Sequence, residues 1–247
     1  AFSSGGIRQV RYEDISAKEM GVEFTAVIHA TDSNGKIYCS NTVQKNVKGY
    51  VLEELLNSGN TNAVRTLCAD MLNYGAAAQN CFGYDTEHLV NEELSLAEQT
   101  AMTAYSTKQQ APASKVNSAN GPTLYASVSI ANRVRLSLNA RGISTSNTVK
   151  LRVKEHEHGT IVTELDTTKY GSIYRSVFDE IGAGDMRTEY EFVVLDGETE
   201  TGTPMIWSVE GYVREARLNT SGDVTPEQLA LYNALLIYGD SVAAALE

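Results

Sequence analysis

The group of residues best suited to chemistry in this sequence is Glu155-His156-Glu157-His158-Gly159. Alternate side chains of a β-strand point to the same face, so His156 and His158 in a strand would lie side by side and could share a zinc ion. The run ends at a glycine, which is typical of a turn, and a solvated hairpin tip explains the same residues without a metal. We therefore predict no metal site and retain His156 and His158 as the metal-ligand candidates.

Motifs of the common enzyme classes are missing from the sequence. It contains no G-x-S-x-G elbow, no H-E-x-x-H, no P-loop and no pair of C-x-x-C motifs. Gly182-Ala183-Gly184 begins like a dinucleotide-binding loop but lacks the third glycine, so we interpret it as a turn. The paired glutamates at 53–54 and 92–93 are typical of solvated faces. We predict that the protein is not an enzyme and that it binds no cofactor.

Composition excludes several classes of partner. The chain has 247 residues, 42% of them hydrophobic and 21% charged, and a net charge of −11. Nucleic-acid binding requires clustered lysine and arginine, so this charge argues against it and against an anionic membrane surface. No apolar run reaches the roughly 20 residues that a membrane span needs, so we predict no membrane insertion.

The segments that would position a functional site occur twice in the sequence. Tyr74-Gly75 recurs as Tyr238-Gly239, 164 positions later. The Gly-Tyr-Val at 49–51 recurs at 211–213, and the segment ending at Met20 recurs in the segment ending at Met186. Three matches in one order, at offsets of 162 to 166, indicate a tandem duplication. We expect residues 12–79 and 178–243 to share one strand–strand–helix–helix order.

In the first copy, residues 22–29 alternate as in a strand, and Asp32-Ser33-Asn34-Gly35 predicts a hairpin turn. The apolar period then changes to that of a helix from residue 47, which the polar residues 57–60 end. A second helix follows through Gly75, and a short one over 95–105. Because glycine inside a helix costs about 1 kcal/mol relative to alanine, we expect Gly75 and Gly239 to mark close contacts, with Tyr50 and Tyr212 as candidate partners.

In the second copy, about seven short alternating segments between residues 123 and 207 predict an immunoglobulin-like β-sandwich. Two helices close the copy, and Thr225-Pro226-Glu227-Gln228 is a capping box with proline at the first helical position. The predicted fold is α+β and mostly β, with tandem sandwich modules that each end in a helical hairpin. We expect a first repeat at residues 1–105, a linker at 106–122 and a second repeat at 123–247.

The first copy has only 11 residues before Tyr12, whereas about 55 strand-like residues precede Phe178. We therefore expect the first sandwich to be partial, truncated at its N-terminus, with any signal peptide outside this fragment. The three cysteines do not form a disulfide framework. Cys68 lies on an apolar helical face and is predicted to be buried, and the pairing of Cys39 with Cys81 is left open.

Four stretches together resemble one kind of module: residues 15–20 (ISAKEM), 47–50 (VKGY), 71–79 (MLNYGAAAQ) and 81–86 (CFGYDT), the last with Leu89 and Asn91. The chain resembles uncharacterised repeats in large secreted or surface-anchored proteins of Gram-positive anaerobes. The likeness covers most of 12–91 and, more weakly, 123–245. It implies an extracellular or cell-surface location and carries over no catalytic residue.

These observations favour a non-catalytic surface module with a structural, adhesive or spacer role, whose partner is a glycan or another cell-surface protein. The alternative is a carbohydrate-binding module of a polysaccharide-degrading or cell-wall-associated protein, because exposed aromatic rings stack on sugars. Four aromatic residues could face outward in that role: Tyr125, Tyr170, Tyr174 and Trp207. A buried position is favoured for Trp207. A hydrolase whose site the sequence hides is the third reading.

Overall fold

A computed structural model describes residues 15–100, 121–130, 133–218 and 222–247. The fold is α+β, and every strand pair among these residues is antiparallel. This confirms the α+β class, but the described helices and strands contain similar numbers of residues, so the prediction of a mostly β chain was wrong. Most of the predicted linker, 106–120, lies outside the described residues, so the domain boundaries stay a prediction.

Eight strands of the second half form two four-stranded sheets. One sheet has the order β5-β6-β10-β9 and the other the order β12-β11-β7-β8. The strands are β5 (Thr123–Ile130), β6 (Val134–Arg141), β7 (Val149–Glu155), β8 (Ile161–Asp166), β9 (Thr168–Tyr170), β10 (Ile173–Phe178), β11 (Tyr190–Asp196) and β12 (Thr199–Trp207). All seven predicted segments are strands, and β9 is additional.

The core of this half lies between the two sheets, because each central strand places alternate apolar side chains inward. Leu136 and Leu138 on β6 face the core together with Leu151 and Val153 on β7, and all four are fully buried. Phe178 packs edge-on against Phe192 across the core, with ring centroids 5.5 Å apart. These strands could be predicted from the sequence because inward apolar residues alternate with polar ones.

The first half contains two short ladders in place of a sandwich. β1 (Phe24–Ala26) pairs with β4 (Val43–Lys45), and β2 (His29–Thr31) pairs with β3 (Ile37–Cys39). The predicted turn is present, since the Asp32 side chain accepts hydrogen bonds from the backbone N–H groups of Asn34 (2.9 Å) and Lys36 (3.0 Å).

The helices of the two halves correspond residue by residue. α1 (Val47–Leu56) and α4 (Val209–Leu218) both have 10 residues, and α2 (Asn62–Phe82) and α5 (Pro226–Leu246) both have 21. The predicted short helix is α3 (Leu96–Thr100), and residues 101–105 lie outside the described part of the chain. The predicted order of strands followed by two helices therefore occurs in both halves.

Side chains at equivalent positions cap these helices. Asn46 accepts a hydrogen bond from the backbone N–H of Gly49, as Ser208 does from that of Gly211. Thr61 and Thr225 begin α2 and α5, and the predicted capping box of Thr225 with Gln228 is confirmed. Each cap satisfies a backbone N–H that has no partner within the helix.

The two helical glycines contact matching one-turn 3₁₀ helices, Ala17–Glu19 and Ala183–Asp185. A methyl group built on Gly75 would lie 3.0 Å from Met20 Sδ and 3.2 Å from the carbonyl oxygen of Ala17. One on Gly239 would lie 2.7 Å from Met186 Cγ and 2.8 Å from the carbonyl oxygen of Ala183. Close contacts at both glycines are thus confirmed.

The predicted partners of these glycines were wrong. Tyr50 is 57% exposed, and Tyr212 packs edge-on against Tyr232. The helical period alone placed both tyrosines on the apolar stripe, but the neighbour of each glycine is a turn that precedes the hairpin in sequence. Sequence periodicity shows which face of a helix is apolar and does not show which element covers it.

α2 and α5 pack against each other and join the two halves. The rings of Tyr74 and Tyr238 stack with centroids 5.6 Å apart and an angle of 5° between their planes. These residues are equivalent by the 164-residue offset, so the contact has the form of a two-fold interface in which a position meets its own counterpart. The Ser241 hydroxyl donates a buried hydrogen bond to the carboxylate of Asp70 beside this stack.

Candidate functional site

His156 and His158 lie in a turn directly after β7, not within a strand. His156 Nδ1 is 3.4 Å from Glu191, and His158 Nδ1 is 3.0 Å from Glu155, so the two rings face different carboxylates. The hydrogen bond with Glu155 raises the pKa of His158. Among the residues that the structure describes, no group of three or more potential ligands could hold a metal ion. The two histidines therefore lie at the tip of the β7–β8 hairpin, which was the favoured interpretation, and not side by side on a strand.

The outer face of the β12-β11-β7-β8 sheet is covered by ion pairs. Arg152 reaches Glu164 (2.7 Å) and Glu200 (2.9 Å), and Lys154 reaches Glu200 (2.8 Å) and Glu191 (3.5 Å). The side chains of Arg152 and Lys154 are about one-fifth exposed, because their aliphatic parts lie along the sheet. Each charged side chain of this network has at least one partner of opposite charge.

A second polar group lies where the two helices of the second half meet the turn before β11. Arg187 makes a bidentate ion pair with Asp240 on α5 (2.6 and 2.7 Å) and a further ion pair with Glu210 on α4. No sequence pattern predicted this group, because Glu210 and Asp240 are 23 and 53 residues away from Arg187. Their counterparts in the first half are Gly21, Lys48 and Ala76.

In the first half, Lys48 instead binds the loop that follows α2. Its ammonium group lies 2.9 Å from Glu92 and 3.0 Å from Glu93, so these glutamates are not simply solvated as predicted. Buried Gln79 holds the same loop, since its side chain accepts a hydrogen bond from Val90 N–H and donates to the carbonyl of His88. Both arrangements fasten a helix to its surroundings, with different residues.

The outer face of the other sheet, β5-β6-β10-β9, carries the exposed tyrosines. Tyr125 on β5 is 48% exposed and Tyr170 on β9 is 54% exposed. Arginines lie over both rings, Arg141 at 5.4 Å from the centroid of Tyr125 and Arg175 at 4.8 Å from that of Tyr170. Asn139 is directly opposite both Tyr125 and Arg175 in the ladder and therefore shares their face.

Two of the four predicted outward aromatics thus share one face. β5 and β9 are the edge strands of this sheet, so the rings are separated by three strand spacings, about 14 Å. Tyr174 is buried and Trp207 is half-buried, as favoured for Trp207. Because residues alternate along β10, the position of Tyr174 next to Arg175 already placed it on the inner face.

A further exposed apolar surface lies on the hairpin of the first half, residues 24–45, which we call the first hairpin. Its exposed apolar side chains include Val27, Ile28, Ile37, Tyr38 and Val43. β1 has a single strand neighbour, β4, among the described residues. Clusters of exposed apolar residues of this kind are typical of contact surfaces.

The cysteines contribute no further site. Cys68 is buried, as predicted, and all three thiols are free, so the open question of a bridge from Cys39 to Cys81 is answered by two separate thiols. Burial raises the pKa of Cys68 and of Cys81, which disfavours the reactive thiolate form at both positions.

Comparison of the chain with known protein families, curated proteins and solved structures finds no match. One helix among the described residues, α5, is long and apolar enough to cross a membrane. Several of its apolar residues are buried within the protein, including Leu231, Leu235 and Leu236. Core helices of water-soluble proteins have the same length and apolar composition, so these two properties do not identify α5 as a membrane span.

Proposed function

We propose that this protein is a non-catalytic module of an extracellular or cell-surface protein, with a structural, adhesive or spacer role. The observation that carries the proposal is the kind of residue that the two halves share. Helix caps, turns and the glycine contacts recur at matching positions, whereas the polar groups around Arg187 and Lys48 do not. Acid–base catalysis requires titratable groups held around a substrate. The residues that the two halves share instead cap helices, form turns and pack against the helical glycines.

The matched acidic residues support the same reading. Glu19 accepts a hydrogen bond from the Ser16 hydroxyl (2.5 Å), and Asp185 is the equivalent residue in the second 3₁₀ turn. Their backbone N–H groups bond to the carbonyls of Ser16 and Gly182, at 2.9 and 3.1 Å. These carboxylates belong to turns that support the glycine contacts.

Activity assays test this proposal directly. The whole chain is expected to show no turnover of glycosidic, peptide or ester substrates. Any hydrolysis that is found should be measured again in Glu19→Ala and Asp185→Ala, with circular dichroism to show that both variants are folded. Hydrolysis that both substitutions abolish in a folded protein would refute the proposal.

The face with Tyr125 and Tyr170 favours glycan binding as a second candidate function. Tyrosine rings, guanidinium groups and the Asn139 amide are suited to the apolar faces and hydroxyl groups of sugars. The separation of the rings by about 14 Å suits an extended oligosaccharide that lies across the strands. This candidate agrees with a surface role and supplies its ligand.

A glycan array followed by calorimetric titration tests this candidate. Tyr125→Ala and Tyr170→Ala should each weaken binding of an oligosaccharide by about tenfold, or about 1.4 kcal/mol. Tyr50→Ala is the matched control, because Tyr50 is equally exposed but lies on α1. Equal losses in all three variants, or no bound glycan, would exclude this face as the binding site.

A further inference from the structure

The first hairpin has a counterpart in β11 and β12 of the second half. Phe24 pairs with Lys45 as Tyr190 pairs with Trp207, and both ladders change register after their third residue pair. The equivalent of that third pair, Ala26 with Val43, is Phe192 with Met205. The local structure is therefore the same in the two hairpins.

Burial of the two hairpins is opposite. Ile28 is 56% exposed and Val43 is 54% exposed, whereas their counterparts Val194 and Met205 are 2% and 6% exposed. In the second half, two things cover this surface. β7 pairs along the edge of β11 from Tyr190 to Asp196, and the β5-β6-β10-β9 sheet lies across the core, where Phe178 meets Phe192.

We propose that the first hairpin is a docking surface for a six-stranded segment of the kind formed by residues 123–178, supplied by another repeat of this type. The docked segment adds one strand to the edge of β1 and lays a second sheet over Ile28 and Val43. The two together complete a sandwich around the first half, as β5–β10 complete it around β11 and β12.

The geometry favours this occupant over a single added strand. Edge pairing satisfies backbone groups and leaves the face of a sheet uncovered, so one strand would leave Ile28 and Val43 in water. Thr25 stands at the position of Glu191, which pairs with Lys154 in the second half. The first hairpin therefore requires alternating apolar residues in its partner strand, like Val149, Leu151 and Val153 of β7, and does not require a basic residue at the position of Lys154.

A second copy of this chain fits the surface less well. Its own β5–β10 strands already cover β11 and β12, so the apolar inner faces of its two sheets are occupied and cannot lie over Ile28 and Val43. Two first hairpins would meet through interrupted ladders of three residue pairs each. The proposal is independent of the cellular location and of glycan binding, since it rests on the burial of matched positions.

A graft tests the proposal. In one fusion, residues 121–178 replace residues 1–12 and are joined to Glu13, and in a second they are attached through a flexible linker to the intact chain. Hydrogen exchange of the backbone amides at 24–31 should slow at least a hundredfold relative to the parent chain. Exchange in β11 serves as the internal standard, because it should not change.

The matched control carries Leu151→Asp and Val153→Asp in the grafted copy alone, and exchange at 24–31 should then return to the parent rate. Unchanged exchange at 24–31 in both fusions, whether or not the graft is folded, would overturn the proposal. So would slow exchange in the parent chain that rises with protein concentration together with a dimer in light scattering, because the occupant would then be a second copy.

Discussion

The two hairpins of this protein have one local structure and two environments. Residues 24–45 and residues 190–207 share their strand pairing and the position of their register shift. The first hairpin is nevertheless exposed, whereas residues 190–207 belong to the core. The difference shows that turn residues and alternation are sufficient to specify the hairpin. Burial depends on strands that are distant in sequence: β7 pairs with the edge of β11, and the β5-β6-β10-β9 sheet covers its face.

The largest effect is expected when equivalent residues of the two hairpins, Phe192 and Ala26, are exchanged. Phe192→Ala should lower the free energy of unfolding by about 3–5 kcal/mol, because it leaves a cavity at a fully buried position. The reverse change at the counterpart, Ala26→Phe, should alter stability by no more than about 0.5 kcal/mol, since Ala26 is exposed. Urea unfolding of both variants measures the two effects. Similar losses at both positions would mean that the first hairpin is already covered in solution.

The two helical glycines sharpen the comparison at closer range. Gly239→Ala should destabilise by about 1–3 kcal/mol, because the carbonyl oxygen of Ala183 would lie 2.8 Å from the new methyl group. Gly75→Ala should cost less, since the backbone atom nearest to its new methyl group, the carbonyl oxygen of Ala17, is 3.2 Å away and the closer neighbours are side-chain atoms of Val90 and Met20.

Thermal unfolding of the two variants ranks them. Gly75→Val, with two further methyl groups, should cost a few kcal/mol and calibrates the scale. If Gly239→Ala melts at the temperature of the wild-type protein, the close contact at this helix is absent.

The contact between the halves can be measured as a coupling energy. Tyr74→Leu and Tyr238→Leu keep the apolar bulk and remove the ring stack, so a double-mutant cycle should give about 0.5–1.5 kcal/mol of coupling. Tyr212→Leu combined with Tyr74→Leu is the control, because Tyr212 contacts Tyr232 instead. Additive effects of Tyr74→Leu and Tyr238→Leu would show that the halves are held together elsewhere.

The smallest effect concerns Asp70, which has an alanine as its counterpart at 234. Burial raises the pKa of Asp70 above 3.8, against the hydrogen bond from Ser241. The folded state therefore binds the carboxyl proton of Asp70 more tightly than the unfolded chain does. The contribution of Asp70 to the free energy of unfolding consequently decreases as pH rises from about 3.8 through the raised pKa of the folded state.

Asp70→Asn keeps an acceptor for Ser241 and removes the charge. It should raise the free energy of unfolding at pH 7, and the gain should shrink as pH falls toward 4. A loss of stability at pH 7 in Asp70→Asn would mean that the charged form is the one the interface favours.

The sequence by itself determined the local structure of this protein. Strand alternation, the Asp32 turn, the threonine caps and the repeated Tyr-Gly pairs each depend on neighbours within a few residues, so their physics is contained in a short stretch of chain. The repeat also indicated that Gly75 and Gly239 share a role, because glycine in a helix has a cost that needs a compensating contact.

The tertiary structure alone decided which surfaces meet. Arg187 pairs with Asp240, which is 53 residues away in the sequence, and Tyr74 stacks on Tyr238, which is 164 residues away. Tyr50 is exposed to solvent although it has the same helical period as its buried neighbours. Likewise, Tyr125 and Tyr170 share a face because β6 and β10 align between their two strands. Periodicity specifies the apolar side of an element, whereas the choice among possible partners depends on the packing of the whole chain, which no single stretch contains.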